Sequence, residues 1–146
     1  MPNVFIDVYE KIPFDSILEE LGSKTLFDQI DELPRYSAMI AKELDRKRIS
    51  STQLRRFYTY VKAVDQKNRH LADEKDIPDI DKAKLKFLLP KLAGSVKRTD
   101  KKKIEPLYRV FASCLRNDRI ENVRDLRLFV EFFEAILDYH ETYKTQ

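Results

Sequence analysis

Residues 122–143 read NVRDLRLFVEFFEAILDYHETY, and almost every side of the helix they would form is apolar. At about 100° per residue, Val123, Leu126, Phe129, Val130, Phe133, Ile136 and Leu137 fall on one arc, which Leu128, Phe132 and Tyr139 widen. What remains is a narrow polar strip of Arg124, Arg127, Glu131, Glu134 and Asp138, spaced for ordinary surface pairing of arginine with glutamate. A helix this apolar is either central to a bundle or covered in part by another subunit.

Outward from that segment the rest of the chain is consistent with a bundle. Of 146 residues only Gly22 and Gly94 are glycine, whereas sheets and phosphate-cradling loops need glycine for tight turns. The expected fold is all-α: a compact bundle of about five helices with short polar connections, in one domain spanning residues 1–146. Residues 1–25 are expected to be peripheral, an extended arm over 3–14 followed by a short helix over 15–22. Asp15 or Ser16 would cap that helix, and Gly22 would close it in the left-handed conformation. Residues 26–33 add a helical turn or two, and Pro34 starts a helix running through 35–48.

Ser50 and Gln53 form a capping-box pattern that opens a long helix with the stripe Leu54, Phe57, Tyr58, Val61 and Val64. The charged loop 71–81 ends it. A helix over 81–98 follows, and Pro90 must either kink or divide it. After Lys101–Lys103 another helix opens with Pro106 near its first turn and carries Leu107, Val110, Phe111, Cys114 and Leu115 on one side.

The net charge of +3 hides a partition. Residues 1–45 carry four basic and ten acidic side chains, 46–103 eighteen and seven, and 104–146 six and eight. So biased a middle section points to a polyanion partner, and nucleic acid is the commonest one. Within it, Arg55, Lys62 and Arg69 recur every seven residues, about 10.5 Å apart by helical rise, with Arg56 and Lys67 on the other flank. Lys47 and Arg48 lead into this helix, while Lys91, Lys97 and Arg98 lie on the next helix and its exit. Such cations suit phosphate oxygens, which give position and affinity without base choice. Tyr60 is a weak candidate for base stacking, so backbone recognition is expected.

Catalytic signatures are lacking. Two distant glycines exclude a dinucleotide or Walker loop, and one cysteine with two histidines excludes the usual zinc patterns. Cys114 sits on an apolar stripe and reads as a core residue, and His140 as a helix-end or interface residue. No enzyme activity and no cofactor are expected. The lone cysteine and the absence of a leader or of an apolar run long enough for a membrane point to a cytoplasmic protein.

The order of four segments carries a family resemblance: STQLRRFYTYV (51–61), LKFLLPKLAGSVKR (85–98), LYRVFASCL (107–115) and LFVEFFEAILDYHETY (128–143). Over roughly residues 47–143 the chain resembles the small subunit of the Csm effector complex of type III-A CRISPR systems. Gln53, Arg55, Arg56 and Phe57 match a helix opening in that family, Pro90 to Ala93 lead to a basic residue matched by Arg98, and Glu134 and Ala135 precede the pair Tyr139 and His140. Gly94 departs from a frequent aromatic and Lys97 from a small residue, and residues 1–45 match poorly.

The resemblance implies a non-catalytic helical scaffold whose copies stack and line the channel holding guide RNA paired to target RNA. Its partners would be those RNAs, other copies of the chain, and the backbone and large subunits of the complex, with no membrane. Residues expected to face RNA are Lys47, Arg48, Gln53, Arg55, Arg56, Lys62, Arg69, Lys91, Lys97 and Arg98. The acidic N-terminal third of one copy would meet the basic middle of the next, head to tail, and unchanged light scattering after deletion of residues 1–25 would contradict this. The rivals are a protein-interaction adaptor that uses the apolar face of the last helix, and a small nuclease, which would need a carboxylate cluster that the sequence does not display.

Overall fold

In the computed structural model, which describes residues 2–96, 100–116 and 119–143, the apolar arc of the last helix is the centre of the fold. Helix α8 (Val123–Glu141) buries all seven arc residues as well as Leu128 and Phe132. It starts on a capping box, in which the Asn122 side chain accepts the Asp125 amide at 2.9 Å and the Asp125 carboxylate accepts the Asn122 amide. Helices α3 (Leu33–Arg46) and α4 (Ser51–Lys67) pack directly on it. Helix α7 (Lys101–Leu115) reaches it through Phe111, whose ring lies 5.4 Å from Phe129 and 4.8 Å from Phe133, both edge-on. Tyr58 of α4 meets Phe133 from the other side at 5.5 Å. The face is thus covered by the chain itself, which takes it away from the adaptor reading.

Around this centre, α2 (Phe14–Ser23) packs on α7 and α3, α5 (Asp79–Lys86) on α4, α6 (Leu88–Gly94) on α7 and α5, and α1 (Val4–Asp7) on α3. A 3-10 turn, Phe27–Gln29, joins α2 to α3. The described residues hold eight α-helices and no β-strand, and one continuous apolar cluster runs through them. The chain is all-α, with more helices than the five expected because short segments fold separately.

Several local expectations change. Residues 4–7 are helical rather than extended: the Asn3 side chain caps them by accepting the Phe5 amide, and Ile6, 1% exposed, anchors them in the core. Ile17, Leu18 and Leu21 join it there, so deleting residues 1–25 would strip the core along with any contact between copies. Gly22 lies inside α2 with ordinary helical φ. Its lack of a side chain admits Arg116, whose guanidinium nitrogen stands 2.5 Å from where a Cβ would be, and Arg119 donates to its carbonyl at 2.6 Å.

Pro90 divides the helix. The break falls at Phe87, shared as the cap between α5 and α6, and this puts Pro90 in the first turn of α6, where an amide needs no intrahelical partner. Pro106, by contrast, is interior to α7, which begins five residues earlier. Buried Ile104 ties that early turn to the core, and packing outweighs the hydrogen bond that the proline forgoes. The arginines of the α8 strip also find other partners than its glutamates. Arg127 bonds the Asp73 carboxylate and the carbonyls of Arg69 and Leu71, and Arg124 lies 3.8 Å over the Phe27 ring.

Arg48 occupies a backbone position that its charge does not explain. Its φ is 63°, and it ends α3 in a Schellman motif: its amide bonds Asp45 O at 2.9 Å and the Ile49 amide bonds Leu44 O at 3.2 Å. A left-handed residue with a side chain costs about 1–2 kcal/mol, and glycine escapes that cost. Arg48→Gly should therefore raise stability by about 1 kcal/mol, or roughly 2–4 °C in Tm by thermal melting. An unchanged or lower Tm would contradict this account.

Candidate nucleic-acid interface

Helix α4 starts where its cap dictates, with the Ser50 hydroxyl accepting the Gln53 amide at 3.1 Å. That start fixes which side chains leave the core on each flank. Leu54, Phe57, Val61 and Val64 point inward and are buried, and half-buried Tyr58 donates its hydroxyl to Glu134. One flank then turns toward α8, and the other toward α5 and α6.

The flank beside α8 meets carboxylates. Arg55 pairs with Glu141 at 3.1 Å, Lys62 with buried Asp65 at 3.5 Å, and Arg69 reaches the same Asp65 at 3.9 Å. Lys62 and Arg69 share a cleft with Asp65, Glu131, Glu134 and Arg127, so the ridge expected from seven-residue spacing is compensated within the chain.

On the opposite flank Lys67 pairs with Asp81 at 3.1 Å, and the lining is otherwise free of acid. Arg56, Tyr60, Ala63 and Lys67 line up at helical spacing and face α5 and α6 across a groove. One part, about 680 Å³, is lined by Tyr60, Ala63, Val64, Lys67, Lys84, Phe87, Pro90 and Lys91. The adjoining part shares Tyr60, Pro90 and Lys91 and adds Arg56 and Gly94. Neither part is lined by an aspartate or glutamate. The Tyr60 hydroxyl donates to Lys84 O at 2.7 Å, and Lys91 Nζ sits 5.1 Å over the Tyr60 ring, a cation–π contact. Asp81 takes hydrogen bonds from Lys67 and Asn68, both at 3.1 Å, and locks the start of α5 to the end of α4. A hydrogen bond with Lys67 and the charge of its ammonium push Lys84 below the ordinary lysine pKa, as expected where cations crowd.

Of the ten residues expected from sequence, Arg56 and Lys91 converge. Arg55, Lys62 and Arg69 share the α8-side flank. Gln53 serves the α4 cap and Arg48 the end of α3, while Lys47 lines a separate mixed-charge cleft with Asp15, Glu43, Lys102, Glu105 and Arg109. Lys97 and Arg98 lie outside the described residues. Lys84 and Phe87 were missed, and Lys67 and Tyr60 were noted without being assigned to the site. Phe87 escaped because a helix over 81–98, kinked or divided at Pro90, does not fix where the break falls, and the break at Phe87 leaves that ring 59% exposed.

Elsewhere, burial pushes the Cys114 thiol up to about 12, far from nucleophilic use, and buried His140 contacts the Ser51 hydroxyl through Nδ1 at 3.3 Å. Among the described residues no group of His, Cys, Asp and Glu is placed to hold a metal ion, and no helix is long and apolar enough to cross a membrane.

The family model described as Csm2 Type III-A matches residues 28–146, beginning ahead of the resemblance read from the segments and including α3. No curated protein and no solved structure matches the chain. A match over everything from the turn before α3 to the C-terminus, on an all-α fold centred on α8, establishes that the chain belongs to the Csm2 family, the small subunit of type III-A CRISPR Csm complexes.

Proposed function

We propose that this subunit is a non-catalytic RNA-binding scaffold that helps line the guide RNA/target RNA channel of the complex and holds the RNA through its phosphate backbone. The observation that carries the proposal is the groove beside α5 and α6, where Arg56, Lys84 and Lys91 meet with no carboxylate in the lining, joined by Lys67, which is paired with Asp81. Arg55, Lys62 and Arg69 contribute less, because a phosphate there must displace Glu141 or Asp65. The RNAs, further copies of the chain and the other Csm subunits are the proposed partners, and the cytoplasm the proposed location.

Two double variants test this. Arg56→Ala with Lys91→Ala should weaken binding of single-stranded RNA and reduce the log–log salt slope by about 1.4, at about 0.7 per phosphate. Arg55→Ala with Lys62→Ala should change both less. Equal losses from the two pairs, or none from the first, in binding titrations at several salt concentrations would refute the groove assignment.

A further inference from the structure

We propose that the same groove takes one unpaired nucleobase of a single-stranded RNA, stacked on Phe87 against the Tyr60 wall, with its flanking phosphates on Lys84 and Lys91. The inference rests on the RNA-binding reading and adds to it a base-binding site that phosphate contacts alone do not require.

The groove has an apolar interior and a cationic rim. Tyr60, Ala63, Val64, Phe87 and Pro90 form its walls and floor. Tyr60 is held rigid, its hydroxyl engaged by Lys84 O and its ring by Lys91. Phe87, at 59% exposure, is a large aromatic turned to solvent by the break between α5 and α6. At about 680 Å³ the space is of the size that small organic ligands occupy. A nucleotide joins the two chemistries this lining asks for, a flat π face for the aromatics and an anion for the ammonium groups. An acidic protein segment would satisfy the rim, but it fills the walls as well only if an aromatic residue falls beside its carboxylates. The other charged clefts hold carboxylates: Asp15, Glu43 and Glu105 in one, Asp65, Glu131 and Glu134 in another.

Because the chain has no tryptophan, Phe87→Trp creates a single emission reporter at the site. The probes are a short oligoadenylate and an abasic oligoribonucleotide of equal length. Adding oligoadenylate should quench the emission of Phe87→Trp. Phe87→Ala, expected to melt as wild type does, should bind oligoadenylate about 5- to 150-fold more weakly with an unchanged salt slope, since stacking releases no counterions. Both proteins should bind the abasic probe equally. Wild-type affinity of Phe87→Ala for oligoadenylate, or emission that stays constant while anisotropy reports binding, overturns the base site and leaves phosphate binding standing. Failure of wild type to bind either probe at low salt overturns both. Unaltered RNA binding together with lost association with the other Csm subunits would mark the groove as a protein-docking face and overturn the base site.

Discussion

Phe133→Ala should lower the free energy of unfolding by about 3–5 kcal/mol, a large part of the roughly 5–15 kcal/mol that holds a domain together. Phe133 is fully buried, and its ring is touched edge-on by Tyr58 from α4 and by Phe111 from α7. Removing it opens a void between three helices whose positions other core residues fix, so collapse into the space is limited. The ring contacts add about 0.5–1.5 kcal/mol each beyond area burial. At this chain length the change amounts to a fall in Tm of roughly 10–15 °C. Urea unfolding should show a lower midpoint with an unchanged slope, and Phe133→Leu should recover more than half of the loss. A shift below about 1 kcal/mol would mean that α8 is not the centre of the bundle.

That central role was legible from spacing alone. Every residue of the α8 arc is buried, as are Leu107, Val110, Phe111, Cys114 and Leu115 of α7, because helical period and apolar burial are local properties. Ser50 begins α4 as its capping pattern indicates, since a cap is settled within four residues. Spacing also separated the two flanks of α4. It carried no information about what each flank would meet, because the Arg55 partner Glu141 lies 86 residues away and belongs to a helix whose azimuth only the packed bundle defines.

The prolines were legible only in part: Pro90 left a kink and a division both open, and Pro106 was placed near a first turn. Pro90 and Pro106 look alike in sequence, yet one opens a helix and the other is tolerated within one. What separates them is tertiary: buried Ile104 lies two residues before Pro106, whereas Phe87, three residues before Pro90, is 59% exposed and stands at the break. Phe87 was hidden from a sequence reading for the same reason.

Arg127→Ala should have the second largest effect, about 2 kcal/mol, and it should act on a loop more than on the core. The guanidinium spans from α8 to the segment after α4, donating to the carbonyls of Arg69 and Leu71 at 2.9 and 3.1 Å and to the Asp73 carboxylate. Hydrogen bonds to a charged group contribute about 1.5–3 kcal/mol when protected. Asp73 and Arg127 are both partly exposed, so solvent screening reduces their ion pair and leaves the two carbonyl bonds dominant. These bonds hold the loop against the start of α8, where the Ile77 amide bonds Glu121 O, the Val123 amide Lys75 O and the Arg124 amide Asp73 O. Without the arginine, those three amides should exchange hydrogen at least about tenfold faster, since each 1.4 kcal/mol of local opening is a factor of ten. Arg127→Lys should rescue little, because a single ammonium cannot reach three acceptors arranged for a planar fork. Because the same loop delivers α5, the variant should also weaken RNA binding at the groove while leaving the α7 and α8 core amides protected. Exchange rates equal to wild type at Ile77 and Val123 would show that the backbone bridges hold the loop without the guanidinium.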